Sequence, residues 1–197
     1  MRRIAVNAAV NSSRCGLASA MRPSAPMIRD VREDDAQAIA AIYGHHVLNG
    51  TASYDLEPPS IDDTLAKIRR IASQRWPFIV AEESSEVTGY AYVTQFRDRP
   101  AYAFTCETSI YVHPQWLGRG IGKALLEELC RRAERYGFRQ IVGVIGGAEP
   151  ASMALHASCG FREVGRLGAV GWKQSRWLDN VYMQRELGAG SSEPPGC

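Results

Sequence analysis

Apolar and polar residues alternate along this chain with two periods, one typical of helices and one typical of strands. Between Asp35 and Gly50 the apolar residues recur every three or four positions, and they do so again after Ser60, which forms a capping-box pattern with Asp63. From Phe78 onward the period shortens to two, which is typical of half-buried strands. The chain therefore opens with two predicted helices and continues into a sheet.

The elements predicted after those helices are strands at 78–82, 87–96 and 103–112, a long helix after a glycine-rich turn at 117–122, a strand at 141–145, a helix at 150–158, and strands at 161–166 and 181–187. The strand at 103–112 has one apolar and one polar face. This order predicts a mixed α/β (α+β) fold. Its central sheet should be mostly antiparallel and flanked by helices, with one β-turn-helix-β unit at its centre.

The two ends of the chain differ in composition from its middle. Residues 1–26 carry four arginines and no acidic residue and show neither period, which predicts a disordered N-terminal extension. Residues 188–197 are rich in Gly, Ser and Pro, which predicts a disordered tail. One folded domain is therefore expected over 27–187. The extension shares its composition with transit peptides, and Met21 and Met27 are alternative starts.

Composition narrows the class of protein. Of the 197 residues 45% are hydrophobic and 22% are charged, with a formal charge of +2, which is typical of a soluble globular domain with its own core. This near balance of charge argues against a nucleic-acid partner, and no apolar run approaches the roughly 18 residues of a membrane span. The five cysteines are scattered and lack zinc spacing. We therefore expect neither a disulfide nor a metal, and a reducing, cytoplasmic location.

The segment with the clearest chemistry is the glycine-rich turn between the strand at 103–112 and the long helix. Gly118, Gly120 and Gly122 stand at alternate positions, where they allow a tight turn that presents main-chain N–H groups beside the helix N-terminus. Arg119 and Lys123 add positive charge. The pattern predicts a pyrophosphate site, with a tight turn that binds nothing as the alternative. It matches neither the nucleotide P-loop nor the dinucleotide GxGxxG pattern.

The turn Leu117–Gly122 resembles the signature of the GNAT superfamily of acetyl-CoA-dependent N-acetyltransferases. Further segments resemble the phosphinothricin and methionine sulfoximine acetyltransferase group of that superfamily: Glu107–Val112, Leu155-His156 with Gly160-Phe161, Gly171-Trp172-Lys173 with Trp177-Leu178-Asp179, and Leu56-Glu57-Pro58. The combination is far more specific than the glycine turn alone. The resemblance covers Ile28 to Leu187 and implies a GNAT-like fold.

The resemblance implies acetyl-CoA as the cosubstrate. The main chain of the strand would pair with the pantetheine arm, and the turn would hold the pyrophosphate. The cofactor-binding residues implied in this way are Ile110, Tyr111, Val112, Gly118, Arg119, Gly120, Ile121, Gly122, Lys123, Glu149 and Ser152. This chain departs from the family at Glu149, where an asparagine is usual. A carboxylate cannot donate the amide hydrogen bond, so a contact from Glu149 to the cofactor stays open.

Acetyl transfer to an amine requires a neutral nitrogen, a polarised thioester carbonyl and a proton for the leaving thiolate. Glu107 lies on the polar face of its strand and is the predicted base for the ammonium proton; the alternative is a solvated carboxylate. A main-chain N–H near Tyr111 or Val112 is expected to polarise the carbonyl.

Histidine offers the second candidate for proton transfer. His156 lies four residues before Gly160, in the slot where many members of the superfamily carry a tyrosine that protonates the thiolate. Its ordinary pKa, about 6.5, suits proton exchange at neutral pH. The alternative is a histidine packed for structure, which is the interpretation we give to His45, His46 and His113.

A small amino-acid substrate carries a carboxylate, for which a bidentate arginine is the natural partner. Arg97 and Arg99 precede the strand of Glu107, and the resemblance favours one of them; the alternative is a surface arginine. The remaining substrate-binding candidates are Tyr102, Tyr54, Lys173 and Trp177.

The expected function is acetylation of the α-amine of a small amino acid such as phosphinothricin, methionine sulfoximine or methionine sulfone, by direct attack in a ternary complex. Cys106 and Cys159 fall on apolar faces, where a thiolate nucleophile is poorly stabilised. The resemblance also implies a homodimer. The alternatives are a GNAT enzyme acting on a protein N-terminus or an aminoglycoside, and an acetyl-CoA-binding module without catalysis.

Overall fold

A computed structural model describes residues 26–195, which form a seven-stranded sheet with helices on both faces. The elements are β1 (Met27–Asp30), α1 (Ala36–Asn49), α2 (Ile61–Ser73), β2 (Phe78–Glu83), β3 (Glu86–Gln95), β4 (Thr105–Val112), α3 (Ile121–Tyr136), β5 (Gln140–Gly146), α4 (Pro150–Ser158), β6 (Arg162–Lys173) and β7 (Arg176–Glu186). The predicted N-terminal extension lies outside the described residues, apart from Pro26.

The strand order is β1-β2-β3-β4-β5-β7-β6, and every neighbouring pair is antiparallel except β4 and β5. The predicted mixed fold with a mostly antiparallel sheet and a central β4-α3-β5 unit is therefore confirmed. A parallel pair needs a crossover connection, and α3 supplies it.

Two apolar clusters cover the two faces of the sheet. One contains α3 and α4 side chains, and the other contains those of α1 and α2. Strand β2 contributes to both, because Ile79 and Ala81 face α3 while Phe78 and Val80 face α1 and α2. A strand that is buried on both faces reads as a continuous apolar run, as these residues do.

Local signals set the ends of the helices. The Ser60 Oγ accepts a hydrogen bond from the Asp63 N–H at 3.1 Å, and an Asp63 carboxylate oxygen accepts one from the Ser60 N–H at 3.0 Å. The predicted capping box thus begins α2. Helix α3 begins after Gly120 and ends at Gly137, and both glycines have positive φ, 82° and 115°. Such a φ is readily adopted only by glycine.

Strands β4 and β5 separate near the middle of the sheet. They pair only over Thr105–Thr108 and Gln140–Gly143. Beyond that point β4 continues to Val112 beside β3, while β5 continues to Gly146 beside β7. The wedge between them, here called the split, opens at the end of β4 where the glycine turn leads into α3.

Several boundaries differ from the sequence prediction. Strand β1 was not predicted, because four residues are too few to show a period. Strands β6 and β7 are longer than the predicted 161–166 and 181–187. Most of β6 is exposed, and its register to β7 shifts twice. A strand of this kind has no buried face to impose a two-residue apolar period, so the pattern does not reveal it.

Strand β4 begins at Thr105 rather than at 103, and its predicted polar face is covered by protein. Tyr111 on that face packs against Tyr43 of α1 and Tyr90 of β3, with ring centroids 4.9 and 5.4 Å apart. The polar residues of this face therefore lie in a partly buried site.

The chain after β7 makes local turns. The Gly190 N–H donates to the Leu187 carbonyl at 2.9 Å, and the Ser191 hydroxyl donates to Glu186 at 2.9 Å. These bonds are made within the first residues of the predicted tail, 188–197, which the structure describes as far as Pro195.

Candidate active site

Two adjoining cavities lie at the split between β4 and β5. The larger, here called the outer cleft, has a volume of about 450 Å³ and is bounded by the glycine turn, the end of β4 and the start of α4. The smaller, here called the inner cavity, has a volume of about 210 Å³ and has Glu107 and His156 in its wall. The residues that line both are Ala52, Ile110, Tyr111 and Ser152. The two cavities therefore adjoin, and together they are here called the passage.

The glycine turn gives the outer cleft its anion-binding end. Gly118 and Gly120 have φ of 75° and 82°, the left-handed region that glycine adopts without strain. Gly122 is needed for close packing instead, because a Cβ there would lie 3.2 Å from a Leu155 methyl group. The first turn of α3 contains no acidic residue, so its N–H groups and helix dipole favour an anion.

Almost all of the predicted cofactor-binding residues meet at the outer cleft. Those that line it are Ile110, Tyr111, Val112, Gly118, Gly120, Ile121, Gly122, Lys123, Glu149 and Ser152. Arg119 lies outside this lining, with its guanidinium 4.4 Å from the centre of the Trp116 ring. Glu149 occupies the N-cap position of α4 but makes no side-chain capping bond. Its carboxylate can only accept hydrogen bonds when ionised.

The main chain at the end of β4 offers hydrogen-bonding groups to the split. The His113 N–H donates to the Thr88 carbonyl at 2.9 Å. Because alternate residues of an antiparallel ladder bond to the same neighbour, Tyr111 points its main-chain groups toward β3, while Ile110 and Val112 point theirs into the split. Of the two predicted donors, Val112 is therefore the one placed to reach a ligand.

His46 fixes one of these main-chain groups. Its Nε2 donates to the Val112 carbonyl at 2.9 Å, and burial lowers the pKa of His46, which favours the neutral ring. The structural interpretation of this histidine agrees with that contact. Since the Val112 carbonyl is engaged, the Val112 N–H is the group left to face the split.

Glu107 lies at the wall of the inner cavity, with 32% of its side chain exposed. Burial raises the pKa of Glu107 above its ordinary value, and the nearby Arg97 acts in the opposite direction. The Arg97 Nη1 lies 3.8 Å from the Glu107 Oε2. A carboxylate with a raised pKa is a better proton acceptor than an ordinary one, which suits a general base.

His156 is almost fully buried at the split, with 2% of its surface exposed. Its Nδ1 donates to the Ser152 carbonyl at 2.8 Å, and burial lowers the pKa of His156. The ring lies against Gly143, where a Cβ would come within 2.8 Å of Nε2. Neutral His156 therefore presents a lone pair at Nε2, and it can donate a proton there only after it has accepted one.

The two arginines differ in their relation to Glu107. Arg97 lies beside it and stacks on Phe96 with its guanidinium 4.1 Å from the ring centre. Arg99 and Tyr102 lie on the exposed loop that follows. None of Arg97, Arg99 and Tyr102 is part of the lining of the inner cavity, so Arg97 is distinguished only by its proximity to Glu107. The Gln95 amide donates to the Arg97 and Arg99 carbonyls at 2.7 and 3.1 Å, so this loop has a defined shape.

The three remaining substrate-binding candidates lie in different surroundings, and only one of them lines the inner cavity. Tyr54 lines the inner cavity. Lys173 does not, because it is buried with its Nζ donating to the Ser53 carbonyl at 2.7 Å. Trp177 is 63% exposed and packs edge-on against Trp172 on the β6–β7 hairpin.

Several residues of the inner cavity were not predicted from the sequence. Asp55 accepts a hydrogen bond from the Tyr43 hydroxyl at 2.7 Å, and that hydroxyl also lies 2.7 Å from the Ser53 Oγ. Within residues 26–195, the buried Asn180 Oδ1 and Thr108 Oγ1 have no hydrogen-bond partner. Buried polar atoms without partners are rare, and these two belong to residues that line a cavity. The nearby sequence signals were Tyr54 and the Leu56-Glu57-Pro58 motif.

Over residues 26–195, His, Cys, Asp and Glu side chains form no group of three or more that could hold a metal ion. Within the same range, no helix is both long enough and apolar enough to cross a membrane.

This chain is similar to acetyltransferases in both sequence and fold. The profile of the acetyltransferase (GNAT) family matches residues 31–161. A phosphinothricin N-acetyltransferase of Alcaligenes faecalis is 44% identical over 169 residues, which are 85% of this chain and 86% of that protein. An L-methionine sulfoximine/L-methionine sulfone acetyltransferase of Salmonella typhimurium is 36% identical over 170 residues, 86% of this chain and 99% of that protein.

A solved structure extends the similarity to three dimensions. The crystal structure of a GNAT superfamily phosphinothricin acetyltransferase from Sinorhizobium meliloti in complex with AcCoA matches with a TM-score of 0.85 and 45% identity. The match covers 87% of this chain and 93% of that chain. The sequence and the fold are therefore both similar to those of GNAT acetyltransferases.

Proposed function

The chain belongs to the acetyltransferase (GNAT) family, and on that premise we propose that it transfers the acetyl group of acetyl-CoA to the α-amine of a small amino acid. The candidate acceptors are phosphinothricin, methionine sulfoximine and methionine sulfone, which the names of its relatives contain. The observation that carries the proposal is the passage that leads from the glycine turn, through the split, to the carboxylate of Glu107.

The outer cleft fits the cosubstrate by its chemistry. The glycine turn and the first turn of α3 offer N–H groups to a pyrophosphate, and Lys123 adds a positive charge. The main-chain groups of Ile110 and Val112 can bond a pantetheine arm much as a neighbouring strand would. Acetyl-CoA bound in this way supplies the thioester carbonyl, and the Val112 N–H is the donor placed to stabilise charge on its oxygen.

Proton transfer is assigned to the two titratable groups of the inner cavity. Glu107 removes one proton from the ammonium group, which frees the nitrogen lone pair for attack on the thioester carbon. A second proton must leave the nitrogen as the amide bond forms and the carbon–sulfur bond breaks. His156 Nε2 accepts this proton and passes it to the sulfur, so that the products are the acetylated amine and free thiol. Direct transfer of this kind needs no acetylated side chain.

The charges at the inner cavity match a zwitterionic acceptor. Glu107 would attract the ammonium group. Arg97, whose Nη1 lies 3.8 Å from the Glu107 Oε2, is the arginine that we assign to the acceptor's carboxylate. Arg97 is favoured over Arg99 because it is the arginine that the structure brings to Glu107. The cavity volume of about 210 Å³ suits a small molecule better than a folded protein segment.

A homodimer is part of the proposal, and the β6–β7 hairpin is its expected interface. The hairpin ends the sheet and exposes a row of large apolar side chains: Val164, Leu167, Val170, Trp172 and Trp177, which are 46–63% exposed. An exposed apolar edge of this kind invites pairing with another chain.

The experiment is an assay of thiol release from acetyl-CoA with a panel of acceptors at equal concentration. We expect turnover with phosphinothricin, methionine sulfoximine or methionine sulfone, and little with a peptide bearing a free N-terminus or with an aminoglycoside. Preference for the peptide or the aminoglycoside would contradict the assigned substrate class. Binding of acetyl-CoA without thiol release from any amine would identify a module that binds the cosubstrate and lacks catalysis.

A further inference from the structure

One wall of the inner cavity is an irregular segment, Thr51–Asp55, here called the strap. It follows α1 and has neither helical nor strand structure. Thr51 and Ala52 line the outer cleft, while Ala52 to Asp55 line the inner cavity. Because the strap makes no ladder of its own, its position depends on contacts with other elements.

Strand β6 supplies the contacts at the inner end of the strap. The Lys173 Nζ donates to the Ser53 carbonyl at 2.7 Å, and only 6% of Lys173 is exposed. Gly171 lies against the ring of Tyr54, where a Cβ would come within 2.9 Å of Cζ. The Tyr54 hydroxyl in turn donates to the Asp179 carbonyl on β7 at 3.1 Å.

A second set of contacts comes from α1. The Tyr43 hydroxyl donates to Asp55 and lies at 2.7 Å from the Ser53 Oγ, which accepts the Asp55 N–H at 3.1 Å. Burial raises the pKa of Tyr43 to about 12, so its hydroxyl remains a donor. The inner end of the strap is therefore held between α1 on one side and the β6–β7 hairpin on the other.

Burying the ammonium group of a lysine costs free energy, so its presence behind a loop needs a reason. Burial lowers the pKa of Lys173, and the charge of Asp55 opposes that change. An apolar side chain of similar length would fill the same space without the cost of removing an ammonium group from water. What the apolar side chain cannot do is donate to the Ser53 carbonyl, so the bond to the strap is what distinguishes lysine here.

We propose that Lys173 is a positioning residue for the acceptor: from β6 it holds the strap so that Ser53, Tyr54 and Asp55 form one wall of the inner cavity. The inference rests on the proposed function for the identity of the acceptor. The proposal predicts that loss of the Lys173 contact affects the inner cavity and leaves the outer cleft unchanged. The outer end of the strap is fixed separately, because the Gly50 N–H donates to the His46 carbonyl at 3.1 Å and Thr51 packs against Gly147.

The test is the full-length K173M variant, compared with wild type in two measurements. Hydrogen exchange of the peptide that covers 51–55 should be faster in K173M without any ligand present, because the strap has lost its anchor. In steady-state assays the KM for the acceptor should rise on the order of tenfold, as loss of a charged hydrogen bond allows, while the KM for acetyl-CoA is unchanged. The matched control is R176M, which removes the exposed cation paired across the hairpin from Lys173 and should alter neither quantity.

The outcomes separate a positioning role from a general role in folding. Unchanged exchange in the strap, or equal changes in both KM values, would overturn the proposal. A lower kcat with both KM values unchanged would also overturn it, since that is the signature of a smaller folded fraction. If K173M does not fold, G171A displaces the Tyr54 ring from the same strand, β6, and should likewise raise the KM for the acceptor but not that for acetyl-CoA.

The failure of this inference can be told from the failure of the proposed function. If wild type releases no thiol with any amine, the proposed function fails while the exchange measurement still tests the anchor. If wild type is active and K173M behaves like R176M in both measurements, the positioning role of Lys173 fails and the proposed function stands.

Discussion

Replacement of Glu107 by glutamine tests the proposed reaction most directly, because it removes a base while it preserves the shape of the side chain. General-base catalysis contributes roughly 10²- to 10⁴-fold to a rate, and we expect E107Q to lose kcat by about that factor. The side chain does not line the outer cleft, so the Kd for acetyl-CoA measured by calorimetry should be unchanged. Binding and turnover are thereby separated in one variant.

The dependence of the rate on pH gives the same test a second readout. Only the ionised carboxylate of Glu107 can accept the ammonium proton, so kcat/KM of the wild type should fall as the pH drops through its pKa. Burial raises this pKa above the ordinary value of 4.5, and the acidic limb should lie correspondingly higher. In E107Q this limb should be absent.

The raised pKa of Glu107 also determines whether the stability of the folded protein rises or falls with pH. The folded protein binds the Glu107 proton more tightly than the unfolded chain does, so the associated stability is fully present below the unfolded pKa. It is lost as the pH rises through the folded pKa, because the ionised carboxylate is poorly accommodated where it is partly buried. E107Q should therefore melt at a higher temperature than wild type at neutral pH, and the difference should shrink on acidification.

The matched control is E86Q, which changes an exposed glutamate at the start of β3 and should leave both rate and melting temperature unchanged. Turnover of E107Q within a few-fold of wild type across the pH range would refute the assignment of the base. So would a retained acidic limb in E107Q, since another group would then have to carry that titration.

Three further predictions concern the turn, the loop and the hairpin. G120A forces a φ of 82° on alanine, which should cost roughly 1–2 kcal/mol of stability in chemical denaturation and weaken acetyl-CoA binding. The control G165A should have neither effect, because Gly165 has open space around it and no positive φ. R97Q should raise the KM for an amino-acid acceptor on the order of tenfold in the thiol-release assay. R99Q should raise this KM less, because only Arg97 lies beside Glu107. A larger effect of R99Q would assign the acceptor's carboxylate to Arg99 instead. W172D places a charge on the exposed apolar row and should convert a dimer into a monomer in light scattering, while a wild type that is already monomeric would contradict the proposed interface.

The cofactor half of the passage could be predicted from the sequence because its residues are close together along the chain. A period-two strand, three alternate glycines and an amphipathic helix predict the turn and the start of α3, and both lie where expected. The resemblance to the GNAT superfamily is confirmed by the family match over residues 31–161. The sequence pattern could not show that β4 and β5 separate after Thr108, because pairing between strands is not encoded in the period of either strand.

The acceptor half was predicted less completely because it is assembled from distant segments. Asp55 and Ser53 come from an irregular segment without a period, and Asn180 comes from a strand whose start was placed five residues late, at 181 rather than at Arg176. Lys173 was expected in the pocket wall, but it lies outside the lining and donates to the carbonyl of Ser53, which is in that wall. Its burial is invisible in the sequence, since the exposed strand that carries it has no apolar alternation.

The position of the proposed site follows from the one parallel pair in the sheet. Two parallel strands require a crossover helix, and the N-terminus of that helix must lie at the end of the first strand. In this chain the same end of β4 is where the pairing with β5 stops, so the positive end of α3 and the main-chain groups of Ile110 and Val112 meet at one edge. A ligand with a pyrophosphate at one end and a hydrogen-bonding arm at the other satisfies both features at once. The acceptor side has no such local constraint, because its wall is held by side chains from α1 and β6. If Lys173 has the proposed positioning role, changes in those side chains should alter acceptor binding without disturbing the cosubstrate.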